Sequence, residues 1–410
     1  MRFYIDPGTG SMLFAILIGI LGAARYVVKM TWIKLRFRLS AGKTEMESEK
    51  TPFVIFSDNK RYWTVFEPIC REFDKRGIDV VYMTASPDDP GLECSYEHIR
   101  GQFIGEGNKA FAKLNFLSAD IVISTTPGLD VYQWKRSKEV QCYVHVLHAM
   151  GEVILYRMFG IDYYDAILLS GEFQFEDIRK LEHLRGLPEK ELYMAGLPYI
   201  DEMAARLRAS GAVESHDRTV LLAPSWGESA IFSRFGEKII EELLKTGYHI
   251  IVRPHPQSFT SEKEMLDRIM AKYPESDQLE WNRDVDNFEV LRRSDIMISD
   301  FSGVIFEFSL VHDKPVIYAD THFDRSVYDA WWLEGELWND KALPRIGEKL
   351  TEDNFAHLKD LIDQCLTESK YEQGRQQVRE ETWQCRGEGA VRTVDCLIDK
   401  YDQLKTKEEK

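Results

Sequence analysis

The sequence predicts an α/β protein of two Rossmann-like domains facing each other across a cleft, with an N-terminal membrane helix ahead of them. Three observations predict it. Short β-rich apolar runs alternate with helix-spaced segments, the pattern of parallel βαβ units. The alternation starts afresh near Arg218, and 410 residues exceed what one core normally holds. An apolar run near the start is followed, not preceded, by basic residues.

That run, residues 11–28, reads SMLFAILIGILGAARYVV. Its one charge, Arg25, lies near the end, where a long side chain snorkels to the interface. The length is at the short end for a spanning helix. Arg2 alone precedes it, while Lys29, Lys34, Arg36, Arg38 and Lys43 follow. The positive-inside rule then leaves the following domains cytoplasmic. A cleaved signal peptide carries the opposite charge order and ends in a small-residue site. Residues 1–40 are therefore expected to form a single-pass anchor, and residues 41–51 a polar linker. A helix lying in the interface plane, or one buried in the core, is the alternative.

The first domain is expected over residues 52–210. FVIFS (53–57) is a strand, and RYWTVFEPICREFDKRG (61–77) has helical spacing. IDVVYMT (78–84), DIVIST (120–125), VQCYVHVL (140–147), AILLS (166–170) and ELYMAG (191–196) are further strands, with a helix through Ile178 and Leu184 before the last. GLPYIDEM (196–203) reads as the hinge into a second domain over residues 211–385. There RTVLLAPS (218–225), YHIIVRP (248–254), DIMIS (295–299) and PVIYA (315–319) are strands. EKIIEELLKTG (237–247), KEMLDRIMAKY (263–273) and GVIFEFSLVHD (303–313) are helices. WWLEGELW (331–338) reads as a packed loop or lid. Residues 386–410 are a C-terminal helix and polar tail.

Composition excludes some functions. A net charge of −16 makes the chain a poor non-specific partner for nucleic acid. The six cysteines form no CxxC pair and no zinc-ligand spacing, so they read as reduced, and no metal or other cofactor is expected.

Open parallel sheets bind ligands beyond the carboxyl ends of their strands, so reactive side chains just after a strand are the candidates. DFSGVIFEF (300–308) follows one strand and opens a helix. Ser302 is placed to cap that helix, Gly303 to let a ligand approach the backbone, and Asp300 stands at the turn. A helix start suits a pyrophosphate, and Glu307, one turn in, is within reach of ribose hydroxyls. In RPHPQ (253–257) two prolines hold His255 in a stiff turn behind Arg253, a cation–imidazole pair suited to a phosphoryl group. In HVLHAMG (145–151) His145 lies within the strand and reads as structural. His148 stands at its end, followed by small residues, as a candidate general base. APSWGES (223–229) contributes Ser225 and backbone amides.

APSW, RPHP and SDFSGVIFEF, in this order and spacing, resemble the second domain of the CDP-glycerol glycerophosphotransferases, the teichoic-acid primases and polymerases of bacterial cell walls. The His255–Pro256 turn is similar to the family's His–Pro turn. Residues 299–303 resemble its Ser/Thr-Asp-Tyr-Ser-Ser segment, Leu147-His148-Ala149-Met150 its Trp-His-Gly-Thr segment, and GLPYID its Gly-x-Pro-Arg-x-Asp segment. The likeness covers roughly residues 120–320. It departs at Ala149–Met150 and at Gly303, where the family has a second Ser. The resemblance implies the two-Rossmann GT-B architecture, attachment to the inner membrane face, and transfer of glycerol phosphate from CDP-glycerol to a polymer or lipid-linked acceptor with release of CMP. It implies His148 as base, His255 on the phosphate and Ser302 in the donor site. The Ser-Gly-x-x-x-Glu pattern at 302–307 also resembles GT-B sugar transferases and UDP-sugar epimerases, so a UDP- or GDP-sugar transferase is an alternative. The altered segment around His148 keeps open a third reading, a membrane-anchored nucleotide-binding scaffold without turnover.

Overall fold

The computed structural model describes residues 50–213 and 216–408. The expected anchor at 1–40 and most of the linker lie outside them. Among the described residues no helix is long and apolar enough to cross a membrane.

Seven strands form the first sheet: β1 Thr51–Ser57, β2 Val80–Thr84, β3 Ile99–Phe103, β4 Ala119–Ser124, β5 Val140–Val146, β6 Ala166–Leu169 and β7 Glu191–Met194. All neighbours are parallel, in the order β3-β2-β1-β4-β5-β6-β7. The central strands are buried on both faces, so they read as continuous apolar runs rather than alternating ones. Helices cover both faces. Trp63–Lys75 buries Val65, Phe66, Ile69, Cys70 and Phe73 at helical spacing. Phe173–Arg185 ends on Gly186, whose φ of 62° lets its N–H return to the last turn.

The second sheet holds β8 Thr219–Ala223, β9 His249–Val252, β10 Leu279–Trp281, β11 Ile296–Ser299, β12 Val316–Ala319 and β13 Gly347–Leu350. These strands are parallel too, in the order β10-β9-β8-β11-β12-β13. In each sheet the strand order reverses beside the first strand of its series, between β1 and β4 and between β8 and β11. A crevice opens there at the carboxyl ends.

Three elements are more specific than the sequence indicates. GLPYIDEM, read as the hinge, is mostly helical. It begins the helix Pro198–Ala209, which packs on Trp63–Lys75. The helix expected at 303–313 is a short α-turn, Val304–Phe306, continued by a π-turn, Glu307–Val311. The expected C-terminal helix is present as Gly389–Glu408. It lies against Trp63–Lys75 and Pro198–Ala209, burying Thr393, Val394 and Leu397. Asp201 starts it, accepting from the N–H groups of Gly387 (2.8 Å) and Gly389 (2.9 Å) and from the Trp383 indole (2.8 Å).

The two halves are tied together. One apolar cluster runs from Val144, Met150 and Val153 into Ile305, Phe306 and Leu337. Glu152 accepts from the N–H groups of Trp338 (2.7 Å) and Asn339 (2.9 Å), at the start of the helix Trp338–Ile346. Arg185 bridges Asp162 and Asp329, each at 2.6 Å, and Asp329 also accepts from Phe159 N–H (2.7 Å) and Gly160 N–H (3.2 Å). Asp329, Ala330, Leu333 and Leu337 are buried while Trp331 and Trp332 stay exposed, so of the two expectations, packed loop or lid, the segment is packed, with an aromatic outer edge. All six cysteines are free thiols.

Candidate active site

Several strand ends place side chains at the crevices. After β1 the chain turns through Asp58, Asn59, Lys60, Arg61 and Tyr62 before the helix Trp63–Lys75. Asn59 Oδ1 accepts from Arg61 N–H (3.1 Å) and Arg61 Nε–H (3.2 Å), which fixes the turn. After β4 come Thr125 and Thr126; after β5 comes His148. Thr125 Oγ1 lies 2.7 Å from His148 Nδ1, and the rings of Tyr62 and Tyr156 lie 5.0 and 5.4 Å from the imidazole. The Tyr156 hydroxyl stands 3.3 Å from His148 Nδ1 and 3.2 Å from His145 Nε2. His145 is fully buried inside β5, as its strand position predicts.

Across the cleft, His255 Nδ1 accepts from Gln257 N–H at 3.1 Å. A neutral His255 so held carries its proton on Nε2, as a donor. Arg253 is anchored through Asn282 Oδ1 and the Asp284 carbonyl. Burial lowers its pKa, against the pull of Asp284 and Asp286.

Both candidate histidines are held well below the ordinary imidazole value. Burial takes His148 to about 4, with a hydrogen bond at Thr125 opposing and the charge of Arg61 adding to the fall. Burial takes His255 to about 4 as well, reinforced by Arg61, Arg253 and His148. Each imidazole therefore lies within electrostatic reach of the other, although they come from different sheets.

Several expected donor residues have different geometry from the sequence expectation. Asp300 is buried and does not line the cleft. Its carboxylate accepts from the N–H groups of Ser225 (3.1 Å), Ile231 (3.0 Å) and Ser302 (3.3 Å), bracing the loops on either side of the β8/β11 crevice. Burial pushes its pKa up to about 7 against the pull of those amides. Ser302 forms no side-chain cap; the helical turn starts one residue later, at Gly303. Gly303 has an ordinary φ of −59°, so no backbone strain calls for glycine. What comes close to it is protein: a Cβ there would lie 3.2 Å from both Ala149 Cβ and the Met150 carbonyl oxygen. Glu307, expected at a ribose, is buried in the π-turn. Its Oε1 accepts from the Tyr199 hydroxyl at 3.3 Å and its Oε2 from Asn287 Nδ2 at 2.8 Å.

The sequence reading missed Arg61, Tyr62, Thr125 and Tyr156. The first three follow β1 and β4, so the strand-end rule would have found them; the run from residue 61 instead read simply as a helix. Among the described residues no group of three His, Cys, Asp or Glu side chains is arranged to hold a metal. A hollow of about 1320 Å³ lined by His216, Arg218, Tyr248 and Arg292 opens at the amino ends of β8 and β9, the wrong end of a parallel sheet for a substrate.

Two parallel-sheet domains with polar groups converging from their strand ends define a two-domain protein resembling the GT-B glycosyltransferases. The family model described as CDP-Glycerol:Poly(glycerophosphate) glycerophosphotransferase matches residues 173–392, more than half the chain, and the chain belongs to that family. The matched span holds Ser225, Arg253, His255, Asp300, Ser302, Gly303 and Glu307; His148 and Arg61 precede it. The chain is 29% identical over 168 residues to the teichoic acid glycerol-phosphate primase of Bacillus spizizenii (strain ATCC 23059 / NRRL B-14472 / W23), covering 38% of this chain and 40% of the primase. It is 29% identical over 173 residues to the minor teichoic acid biosynthesis protein GgaB of Bacillus subtilis (strain 168), covering 40% of this chain and 17% of GgaB. The matches thus span less than half the length of either relative. Among solved structures, the wall teichoic acid polymerase TagF shares the fold with a TM-score of 0.55 at 15% identity, over 94% of this chain and 97% of that one. A UDP-GlcNAc 2-epimerase from Methanocaldococcus jannaschii does so with a TM-score of 0.57 at 14% identity, over 85% and 99%.

Proposed function

We propose that the chain is a membrane-associated glycerophosphotransferase. It moves glycerol phosphate, or a related polyol phosphate, from a CDP-alcohol to a hydroxyl of a polymer or lipid-linked acceptor in cell-wall or surface-polymer synthesis. The observation that carries this reading is the convergence of His148 and His255 from opposite domains, within reach of each other and of two arginines, in a chain of this family.

The acceptor oxygen attacks the β-phosphorus of the donor. The bond from that phosphorus to the bridging oxygen breaks, its electron pair leaves with CMP, and the acceptor proton goes to His148. With the other ring proton on Nδ1, donated to Thr125 Oγ1, the His148 lone pair is on Nε2 and free to accept. His255, a donor at Nε2, and Arg253 bind the diphosphate, with Ser225, Ser302 and Gly303 forming the floor. Asp300 and Glu307 hold that floor in place. Such a transfer relies on positioning and charge stabilisation more than on covalent catalysis. Residues 1–40 would anchor the catalytic domains at the cytoplasmic face; deleting them should move the protein from the membrane to the soluble fraction.

The test is CMP release from CDP-glycerol with a polymer acceptor. His148→Ala should lower turnover by roughly 10²–10⁴ with donor affinity nearly unchanged, whereas His255→Ala should weaken donor binding too. Full CMP release by His148→Ala at saturating substrates would refute the assignment. The Ser-Gly-x-x-x-Glu pattern at 302–307 and the epimerase-like fold favour one second reading, a UDP- or GDP-sugar transferase. Release of UDP or GDP from a nucleotide sugar, with CDP-glycerol inert, would select it.

A further inference from the structure

Arg61 has no part in the scheme above, and its surroundings are unusual for this protein. The chain carries a net charge of −16, and neighbouring arginines are paired: Arg71 with Glu67 and Glu202, Arg76 with Glu72 and Asp395, Arg136 with Asp165. Among the described residues Arg61 forms no ion pair, and its side chain makes one hydrogen bond, from Nε to Asn59 Oδ1 at 3.2 Å. That bond fixes the inner edge of the guanidinium and leaves the two terminal amino groups, the fork that grips oxyanions, uncommitted. The residue is exposed at the mouth of the first sheet's crevice, and the ring of its neighbour Tyr62 lies 5.0 Å from that of His148.

Its charge acts on both sides of the cleft, on Asp58, Tyr62 and His148 in its own domain and on His255 in the other. No carboxylate is among the groups acting on either histidine. Asp58, on the same turn, forms no ion pair with it, and burial pushes the Asp58 pKa up. Arg253 has Asp284, Asp286 and Glu307 on its side of the cleft, whereas Arg61, among the described residues, forms no ion pair on the other. An exposed guanidinium with a free fork beside two neutral imidazoles is suited to an anionic ligand.

We infer that Arg61 is the first domain's ligand for the β-phosphoryl group of the donor, gripping its non-bridging oxygens from the acceptor side while Arg253 and His255 hold the diphosphate from the other. The inference rests on the donor proposed above. Arg61 keeps its proton throughout. As the phosphorus leaves the bridging oxygen and bonds to the acceptor oxygen, it moves from the second domain's cations toward Arg61. The contact therefore strengthens during transfer and acts more on kcat than on ground-state binding.

The experiment compares the full-length wild type with Arg61→Gln and Arg61→Lys. Arg61→Gln should lower kcat for CMP release from CDP-glycerol on the order of 10²–10³, the usual loss when one oxyanion donor is removed. Arg61→Lys should recover part of it. CMP, which lacks the β-phosphate, should bind both proteins alike by calorimetry, while CDP-glycerol binds Arg61→Gln a few-fold more weakly. NMR titration of the ligand-free proteins should show the His148 and His255 pKa values rising in Arg61→Gln and much less in Arg61→Lys, which keeps the charge. Wild-type kcat in Arg61→Gln, or equal weakening of CMP and CDP-glycerol, would overturn the inference and leave the donor reading standing. If the wild type neither binds nor turns over CDP-glycerol, the donor reading fails and pyrophosphate becomes the probe. Pyrophosphate binding lost in Arg61→Gln then supports Arg61 as an anion ligand, and binding unchanged there removes it.

Discussion

Replacing Arg185 by methionine should destabilise the protein far more than the loss of one surface charge. Arg185, Asp162 and Asp329 have side chains only 4%, 5% and 0% exposed, and the guanidinium spans both carboxylates at 2.6 Å. It also lies against the rings of Phe159 (4.9 Å) and Trp332 (5.0 Å). Methionine fills much of that apolar volume but leaves two buried carboxylates without their cation. Breaking a buried pair in this way costs about 3–5 kcal/mol, a large part of the roughly 5–15 kcal/mol that holds most proteins folded. The comparison is Lys180→Ala, which removes a solvent-exposed pair with Glu176 and should leave stability nearly unchanged. The penalty should also depend on pH. Burial already raises the Asp329 pKa, and Arg185 is the main opposing charge. Without Arg185 that pKa rises further, so the folded variant binds a proton more tightly than the unfolded chain. Its stability is then greatest below the unfolded aspartate value near 4 and falls as pH rises toward neutrality. Urea unfolding at pH 4.5 and 7.5 measures both effects, and neutralising Asp162 and Asp329 as asparagines in the same variant should return much of the loss. A single variant costing under about 1 kcal/mol, or the same at both pH values, would refute the argument.

Three further outcomes follow from the cleft. Gly303→Ala needs only a few tenths of an ångström from Ala149 and Met150, whereas Gly303→Val must push back the loop that carries His148. The valine variant should lose about 10²-fold in kcat while staying folded, as a displacement near 1 Å can cause; an unshifted His148 resonance with full turnover would contradict this. Ligand-free His148 and His255 both lie near 4 instead of 6.5, so stability should decline as pH falls from 6.5 toward 4. A bound diphosphate raises both pKa values, so CDP-glycerol binding at pH 5 should take up protons, measurable by calorimetry in two buffers of different ionisation enthalpy. Zero uptake would place the anion elsewhere.

The strands that sequence reading missed share one position. β3 (IRGQF), β10 (LEW) and β13 (GEKL) each close an edge of a sheet. Edge strands are kept short and charged to discourage pairing with other chains, and this strips them of the apolar run by which β1, β4 and β11 are recognised. The strand-end positions of His148 and His255 were legible because proline, glycine and small residues mark the strand ends they follow. The protein partners of Glu307 and Asp300 were not legible, for a common reason. A carboxylate in a loop looks like a ligand to substrate, and only three-dimensional structure shows the amides of Ser225 and Ile231, or the hydroxyl of Tyr199, that already engage it.

The return of the helix Gly389–Glu408 to the first domain has a consequence for biosynthesis. The surface of Trp63–Lys75 that it covers is made early, and the last helix beside it, Pro198–Ala209, is followed by about 200 residues before the covering helix ends. At 5–20 residues per second a ribosome takes roughly 10–40 s over that stretch. During that interval the outer face of Trp63–Lys75 stays bare, and Asp201 has no helix start to cap. The first domain to emerge is therefore the last to be completed, and a nascent chain stalled within the second domain should be a substrate for chaperones even though all seven strands of its first sheet have been synthesised.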